Sequence, residues 1–152
     1  MDLYDEFVSI IEVLETERIP YAVCGGMAMA IHGLPRATVD VDLLVPGDAA
    51  ERVVTAVSRL GYNIVAAPMT FADGAVEIRR VSKIAPEDSD VLSLALLRVT
   101  PAATLPWTTR TRVAWEGGGL SVVSPAGLIA LKRLRGSGQD QDDIRHLERL
   151  TP

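Results

Sequence analysis

Cys24-Gly25-Gly26-Met27-Ala28-Met29-Ala30-Ile31-His32-Gly33-Leu34-Pro35-Arg36-Ala37-Thr38-Val39-Asp40-Val41-Asp42 is the stretch whose reading decides the fold. It opens at the end of Tyr21-Ala22-Val23-Cys24, a short apolar run entered after Pro20 that reads as a buried strand. Gly25 and Gly26 then allow the backbone to approach a phosphate with no Cβ in the way. A short helix from Met27 to Ile31, closed by His32-Gly33, would point its free N–H groups and positive dipole end at the same spot. From Val39 to Val45 aliphatic residues alternate with Asp40 and Asp42, so a strand here projects both carboxylates from one face. Such a pair is a natural seat for Mg²⁺ (or Mn²⁺), a hard cation that retains water and phosphate in its shell. A metal so held can bridge a triphosphate and orient an attacking hydroxyl in line with departing pyrophosphate. Taken singly, Gly-Gly also suits a tight turn and Asp-x-Asp a solvent face. Their order and spacing carry the argument.

That order is a strand, Gly-Gly, a short helix, thirteen residues from Met27 to Val39, and then Asp40-Val41-Asp42 flanked by aliphatics. It resembles the nucleotidyltransferase superfamily, DNA polymerase beta-like members included. The motif there is a hydrophobic residue, Gly-Gly or Gly-Ser, a gap of about this length, and Asp-hydrophobic-Asp. The run Arg36-x-Thr38-x-Asp40-x-Asp42 is similar to the form found in small bacterial members related to abortive-infection toxins. The resemblance implies a nucleotidyltransferase fold of the α/β (α+β) class, with a mixed β-sheet, flanking helices and a C-terminal helical pair. It also implies an Mg²⁺-dependent enzyme moving a nucleoside monophosphate from a nucleoside triphosphate to an acceptor hydroxyl. That acceptor would be an RNA end, a protein or a small molecule such as an aminoglycoside. By analogy the chain would belong to a toxin–antitoxin or phage-defence pair, with a cognate antitoxin or other protein partner. On the matching positions, Gly25 and Gly26 would hold the triphosphate, Arg36 and Thr38 the nucleotide, and Asp40 and Asp42 the catalytic metal.

The resemblance extends to Val122-Val123-Ser124-Pro125-Ala126-Gly127-Leu128-Ile129-Ala130-Leu131-Lys132, to Arg135, and to Asp140-Gln141-Asp142-Asp143-Ile144. It implies that Lys132 and Asp143 join the nucleotide site. The helix dipole offers a plainer account of both, since it favours a basic last turn and an acidic first turn. One departure bears on catalysis. Active members carry a third carboxylate on a later strand, where it completes the metal site and often serves as general base. The matching strand, Val91-Leu92-Ser93-Leu94-Ala95-Leu96-Leu97, has no acid in its interior, and Ala95 stands at the family position. Asp90 and Glu77 are the candidate substitutes. An active transferase and a catalytically silent domain that binds a nucleotide or a protein partner therefore both stay open. A small interaction module with a decorative Asp pair would need no glycine loop.

The remaining sequence supplies the scaffold. Leu3, Phe7, Ile10, Ile11 and Leu14 recur at helical spacing over residues 2 to 17, and a third helix is expected from Ala49 to Leu60. Strands are expected at Asn63–Ala66, Ala75–Ser82, Val91–Val99 and Arg112–Glu116, the last turning at Gly117-Gly118-Gly119 into Leu120–Val123. Ser124-Pro125 reads as an N-cap with proline at the first helical position, opening a helix to about Arg135 that ends at Gly136-Ser137-Gly138. A final helix from Asp140 to Leu150 would bury Ile144, Leu147 and Leu150.

With 152 residues, 48% of them hydrophobic and 23% charged, the chain suits one domain, 1–152, with a sizeable core. A net charge of −5 argues mildly against nucleic acid as a partner, which a basic surplus would favour. The clusters Arg79, Arg80, Lys83 and Lys132, Arg133, Arg135 read first as solvated faces. The single cysteine, Cys24, excludes an internal disulfide framework and suits a reducing cytoplasm. No apolar run is long enough for a bilayer, and the acidic N-terminus lacks the basic start of a signal peptide. His32 and His146 are too isolated for zinc spacing.

Overall fold

The computed structural model describes residues 1–35, 37–135 and 138–150. Its frame is a mixed sheet of eight strands: β1 (Ala22–Cys24), β2 (Asp40–Val45), β3 (Ile64–Val65), β4 (Met69–Phe71), β5 (Val76–Ile84), β6 (Val91–Arg98), β7 (Thr111–Trp115) and β8 (Gly118–Val122). Their order is β3-β5-β6-β2-β1-β8-β7, with β4 also paired to β5. β2 runs parallel to β6 and antiparallel to β1, and β1 runs parallel to β8. The expected α+β class with a mixed sheet is therefore what the chain adopts.

Alternation along β2 separates core from site. Val41, Leu43 and Val45 are fully buried, while Asp40 and Asp42 lie on the opposite face. The core face continues through Leu94 and Leu96 on β6 and Val81 on β5, which pair in register with it. Two helices supply the rest of this core. α1 (Leu3–Thr16) contributes Phe7, Ile10, Ile11 and Leu14, and α3 (Ala50–Ser58) contributes Val53, Ala56 and Val57. Each of the larger side chains contributes about 1.5–3 kcal/mol by leaving water, Ala56 less. Asp2 caps α1 by accepting from the Asp5 amide at 3.0 Å.

Between β1 and β2 lies α2 (Gly25–Ile31), which begins two residues before the expected Met27, its first residue Gly25 entering at positive φ. α4 (Thr104–Thr108) precedes the β7–β8 hairpin. That hairpin turns on Glu116 and Gly117, both at positive φ, and Gly118 and Gly119 already belong to β8. The turn is tighter than three glycines suggest, because two positive-φ residues suffice to match strand twist. α5 (Pro125–Arg135) and α6 (Gly138–Glu148) form the expected C-terminal pair. Ser124 Oγ caps α5 by accepting from the Gly127 amide at 3.1 Å. Leu150 corrects the sequence reading: α6 ends at Glu148, so Leu150 is exposed, whereas Ile144 and Leu147 are buried. β4 and α4 escaped the sequence reading, both being short and without clear periodicity. Among the described residues no helix is long and apolar enough to cross a membrane.

Candidate functional site

Cys24 and Asp42 face one another across the antiparallel β1–β2 pair, so the end of β1 delivers its glycines beside the Asp pair. Gly25 has φ +65°, and a Cβ built there would fall inside the Asp42 carboxylate. Glycine is required on both counts: the backbone is left-handed, and the acid occupies the side-chain space. Gly26 is constrained differently. A Cβ on it would lie 2.6 Å from Thr38 Cβ, so Thr38 packs directly on the loop while its Oγ1 donates to the Asp40 carbonyl at 3.3 Å. His32 ties the far end of α2 to the residue just past β8, its Nε2 lying 2.8 Å from the Val123 carbonyl oxygen.

Asp40 and Asp42 make no ion pair among the described residues. Burial, and then the charge of Asp40, push the Asp42 carboxyl above its ordinary value; the charges of Arg135, Arg80 and Lys132 oppose the shift. Burial also raises the Cys24 thiol well above its usual range, with Asp42 adding to it, so Cys24 is an inert packing residue. The pair thus combines two carboxylates in a partly desolvated setting with three cations whose fields converge on Asp42.

The C-terminal helices hold a second charged group. Lys132 Nζ lies 3.0 Å from Asp143 Oδ2 and 3.7 Å from Asp140 Oδ1, and Arg135 Nε lies 3.4 Å from Asp140 Oδ2. Lys132, Asp140 and Asp143 are all buried. The structure pairs Lys132 with Asp143 in the α5–α6 seam, and the Lys132 field reaches Asp42. Arg36 lies outside the described residues, as do Gly136 and Ser137.

Neither candidate third carboxylate reaches the pair. Glu77 alternates to the core face of β5 and pairs with Arg98 at 3.5 Å. The Asp90 carboxylate accepts from the Met1 amino group at 3.3 Å. Opposite Asp42 on β6 stands Ala95, and opposite Ala95 on β5 stands Arg80. Arg80 is the residue that sequence reasoning passed over. Alternation along a strand says only that one of Arg79 and Arg80 faces the Asp pair, and the β5–β6–β2 register selects Arg80.

Among the described residues no group of three or more His, Cys, Asp or Glu side chains could cage a metal ion. Two unpaired carboxylates on one strand face do fit a hard divalent cation that completes its shell with water and substrate oxygens. The cavity of about 240 Å³ lined by Glu51, Met69, Glu77, Arg79 and Arg98 is elsewhere, on the far side of β5 from the Asp pair.

No family model and no curated protein matches the sequence. Solved structures do. TM1012 from Thermotoga maritima, a proposed nucleotidyltransferase, superposes with a TM-score of 0.63 at 13% identity, over 94% of this chain and 90% of that one. The antibiotic-resistance factor ANT(2'')-Ia in solution gives 0.65 at 16% identity, over 97% of this chain and 84% of that one. The same factor in complex with adenylyl-2''-tobramycin gives 0.61 at 14% identity, over 93% and 84%. At these identities the likeness is one of fold, and the chain has the nucleotidyltransferase fold.

Proposed function

We propose that this chain is a nucleotidyltransferase that binds a nucleoside triphosphate with Mg²⁺ or Mn²⁺ and passes its nucleoside monophosphate to an acceptor hydroxyl. The observation that carries this is the contact between Gly25 and Asp42, which places an unpaired carboxylate pair against a Cβ-free turn. In the proposed arrangement Asp40 and Asp42 hold the metal, and Gly25 and Gly26 receive the triphosphate with Thr38 bracing Gly26. Lys132 adds positive potential from α5, where Asp143 fixes its position. Arg36, two residues before Thr38, is assigned to the nucleotide on the resemblance alone.

The bound metal would lend positive charge to the phosphate oxygens. The acceptor oxygen forms its bond to the α-phosphorus as the bond from that phosphorus to the bridging oxygen breaks. Pyrophosphate leaves with the electron pair, and the hydroxyl proton passes to water on the open sheet face. With Ala95 where a base would stand, the rate rests on positioning and electrostatics. A small-molecule or protein acceptor suits the net charge of −5 better than RNA does. A toxin–antitoxin or phage-defence setting, with a cognate antitoxin, rests on the Arg36-to-Asp42 resemblance. Ala95 also favours a second reading, a domain that binds nucleotide without transferring it.

Calorimetric titration of the four nucleoside triphosphates, with and without Mg²⁺, on wild type and Asp42→Ala tests the proposal. Metal-dependent binding lost in the variant is the expected result. No binding to any triphosphate by the folded wild type would refute it. Transfer of α-labelled nucleotide to small-molecule and protein acceptors, with release of pyrophosphate, then separates the transferase from the silent binder.

A further inference from the structure

Asp42, Ala95 and Arg80 form one row across β2, β6 and β5, on the face opposite the α1 and α3 core. The next row is Asp40, Ser93 and Ser82, whose two hydroxyls lie 2.9 Å apart. On that side the face is polar and carries no third carboxylate, while the row on the other side of Asp42 is Leu44, Leu97 and Ile78. Ala95 is 3% exposed and contributes only a methyl group, so nothing charged separates Asp42 from Arg80 along the row.

Arg80 differs from the cations around it. Arg79 is paired with Glu51, Lys83 with Glu6 at 2.9 Å and Arg98 with Glu77 at 3.5 Å. All three belong to the core-side face by alternation. Arg80 is half-buried on the site face and has no ion pair among the described residues. Its strand is held there, since the Arg80 carbonyl accepts from the Ala66 amide at 3.0 Å and β5 pairs with β6 along its length. A half-buried guanidinium forgoes some hydration, and a fold that merely needed neutrality would give it an acid, as it does for its neighbours. Its field nevertheless acts on Asp42. A cation in the same row as Asp42, within its electrostatic reach yet bonded to no acid, suits an anion that enters beside the pair.

We propose that Arg80 is a phosphate-binding residue of the nucleotide site, supplying by guanidinium the charge that a third carboxylate with a second metal ion would bring, so that the site holds one metal ion. The proposal rests on the reading of Asp40 and Asp42 as the seat of a metal-bound triphosphate. Two carboxylates, one divalent cation and Arg80 carry the same net charge as three carboxylates with two divalent cations. The triphosphate therefore meets an equivalent potential. Guanidinium also binds phosphate oxygens in a bidentate fork and stays protonated at any working pH. It can hold charge on the departing pyrophosphate, but it cannot take the acceptor proton.

The test counts bound Mn²⁺ by electron paramagnetic resonance at saturating triphosphate, and measures triphosphate affinity by calorimetry, on wild type, Arg80→Gln and Arg80→Lys. Wild type is expected to bind one Mn²⁺ per chain. Arg80→Gln, similar in shape and uncharged, should lose affinity at least tenfold with thermal unfolding unchanged, and Arg80→Lys should recover part of the loss. Two Mn²⁺ per wild-type chain, or an Arg80→Gln affinity equal to wild type, would overturn the role of Arg80 and leave the nucleotide site standing. A wild type that binds no triphosphate would overturn both.

Discussion

Two clusters of charge share this molecule and are completed in opposite ways. Around Lys132, every charge has found its partner: Asp143 at 3.0 Å, Asp140 at 3.7 Å, and Arg135 reaching Asp140 at 3.4 Å. The side chains of Lys132, Asp140 and Asp143 are 5%, 3% and 2% exposed, so ionic groups survive there because they neutralise one another. Around Asp42 the opposite holds. Two acids share one strand face without a cation bonded to either, and Arg80 waits in the same row without an acid. The first cluster is finished as structure and locks α5 onto α6. The second becomes electrostatically complete only when a cation and a polyanion arrive. Paired burial builds a scaffold, and unpaired charge in a scaffolded place marks a ligand seat.

The largest effect should come from breaking the finished cluster. Lys132→Met keeps the bulk of the stem and removes the ammonium, leaving Asp143 and Asp140 buried with less compensation. Loss of one partner of a buried ion pair costs about 3–5 kcal/mol. Urea unfolding should show a loss of that size, and a loss under about 1 kcal/mol would mean that the cluster is not the lock described. Triphosphate affinity should fall as well, because the Lys132 field reaches Asp42.

An intermediate effect is expected at Gly25, where loop and acid meet. Alanine there must adopt φ +65°, which costs about 1–2 kcal/mol, and its methyl group must displace the Asp42 carboxylate. Gly25→Ala should therefore lower stability by roughly that strain while eliminating metal-dependent triphosphate binding. Retained affinity would show that the Asp42 position is not what the ligand reads. Gly33, also at positive φ but with open space around its Cα, should tolerate alanine at the cost of strain alone and with affinity intact.

Much of this contrast was legible in the sequence. The glycine turn, the Asp-x-Asp strand and both C-terminal helices all followed from local pattern. What stayed hidden depended on register. Nothing local to Arg79-Arg80 says which arginine faces the Asp pair; that is fixed by Arg80 pairing with Ala95 and Ala95 with Asp42. A slip of one residue would have exchanged the two. Glu77 and Asp90 were legible as acids but not as bystanders, because Arg98 and the Met1 amino group claim them through tertiary contacts. The exposure of Leu150 depended on a helix end two residues earlier than its periodicity implied.

The smallest change in stability should be the most informative, because its sign reverses. Burial, followed by the charge of Asp40, holds the Asp42 carboxyl above its ordinary value in the folded chain. Between the ordinary and the raised value, the folded chain binds a proton that the unfolded chain releases. Stability therefore falls as pH rises through that window, and the ionised carboxylate weakens the fold at neutral pH. Asp42→Asn keeps the shape and removes the charge. It should unfold at a slightly higher urea concentration than wild type at pH 7, with the gain vanishing as pH drops below the window. Added Mg²⁺ with triphosphate should then stabilise wild type and leave the variant unmoved, since ligand binding raises the stability only of a chain that holds it. An Asp42→Asn chain less stable than wild type at pH 7 would place Asp42 among the finished contacts, beside Lys132. A more stable one would show that the fold gives up stability to keep a charge it does not itself use.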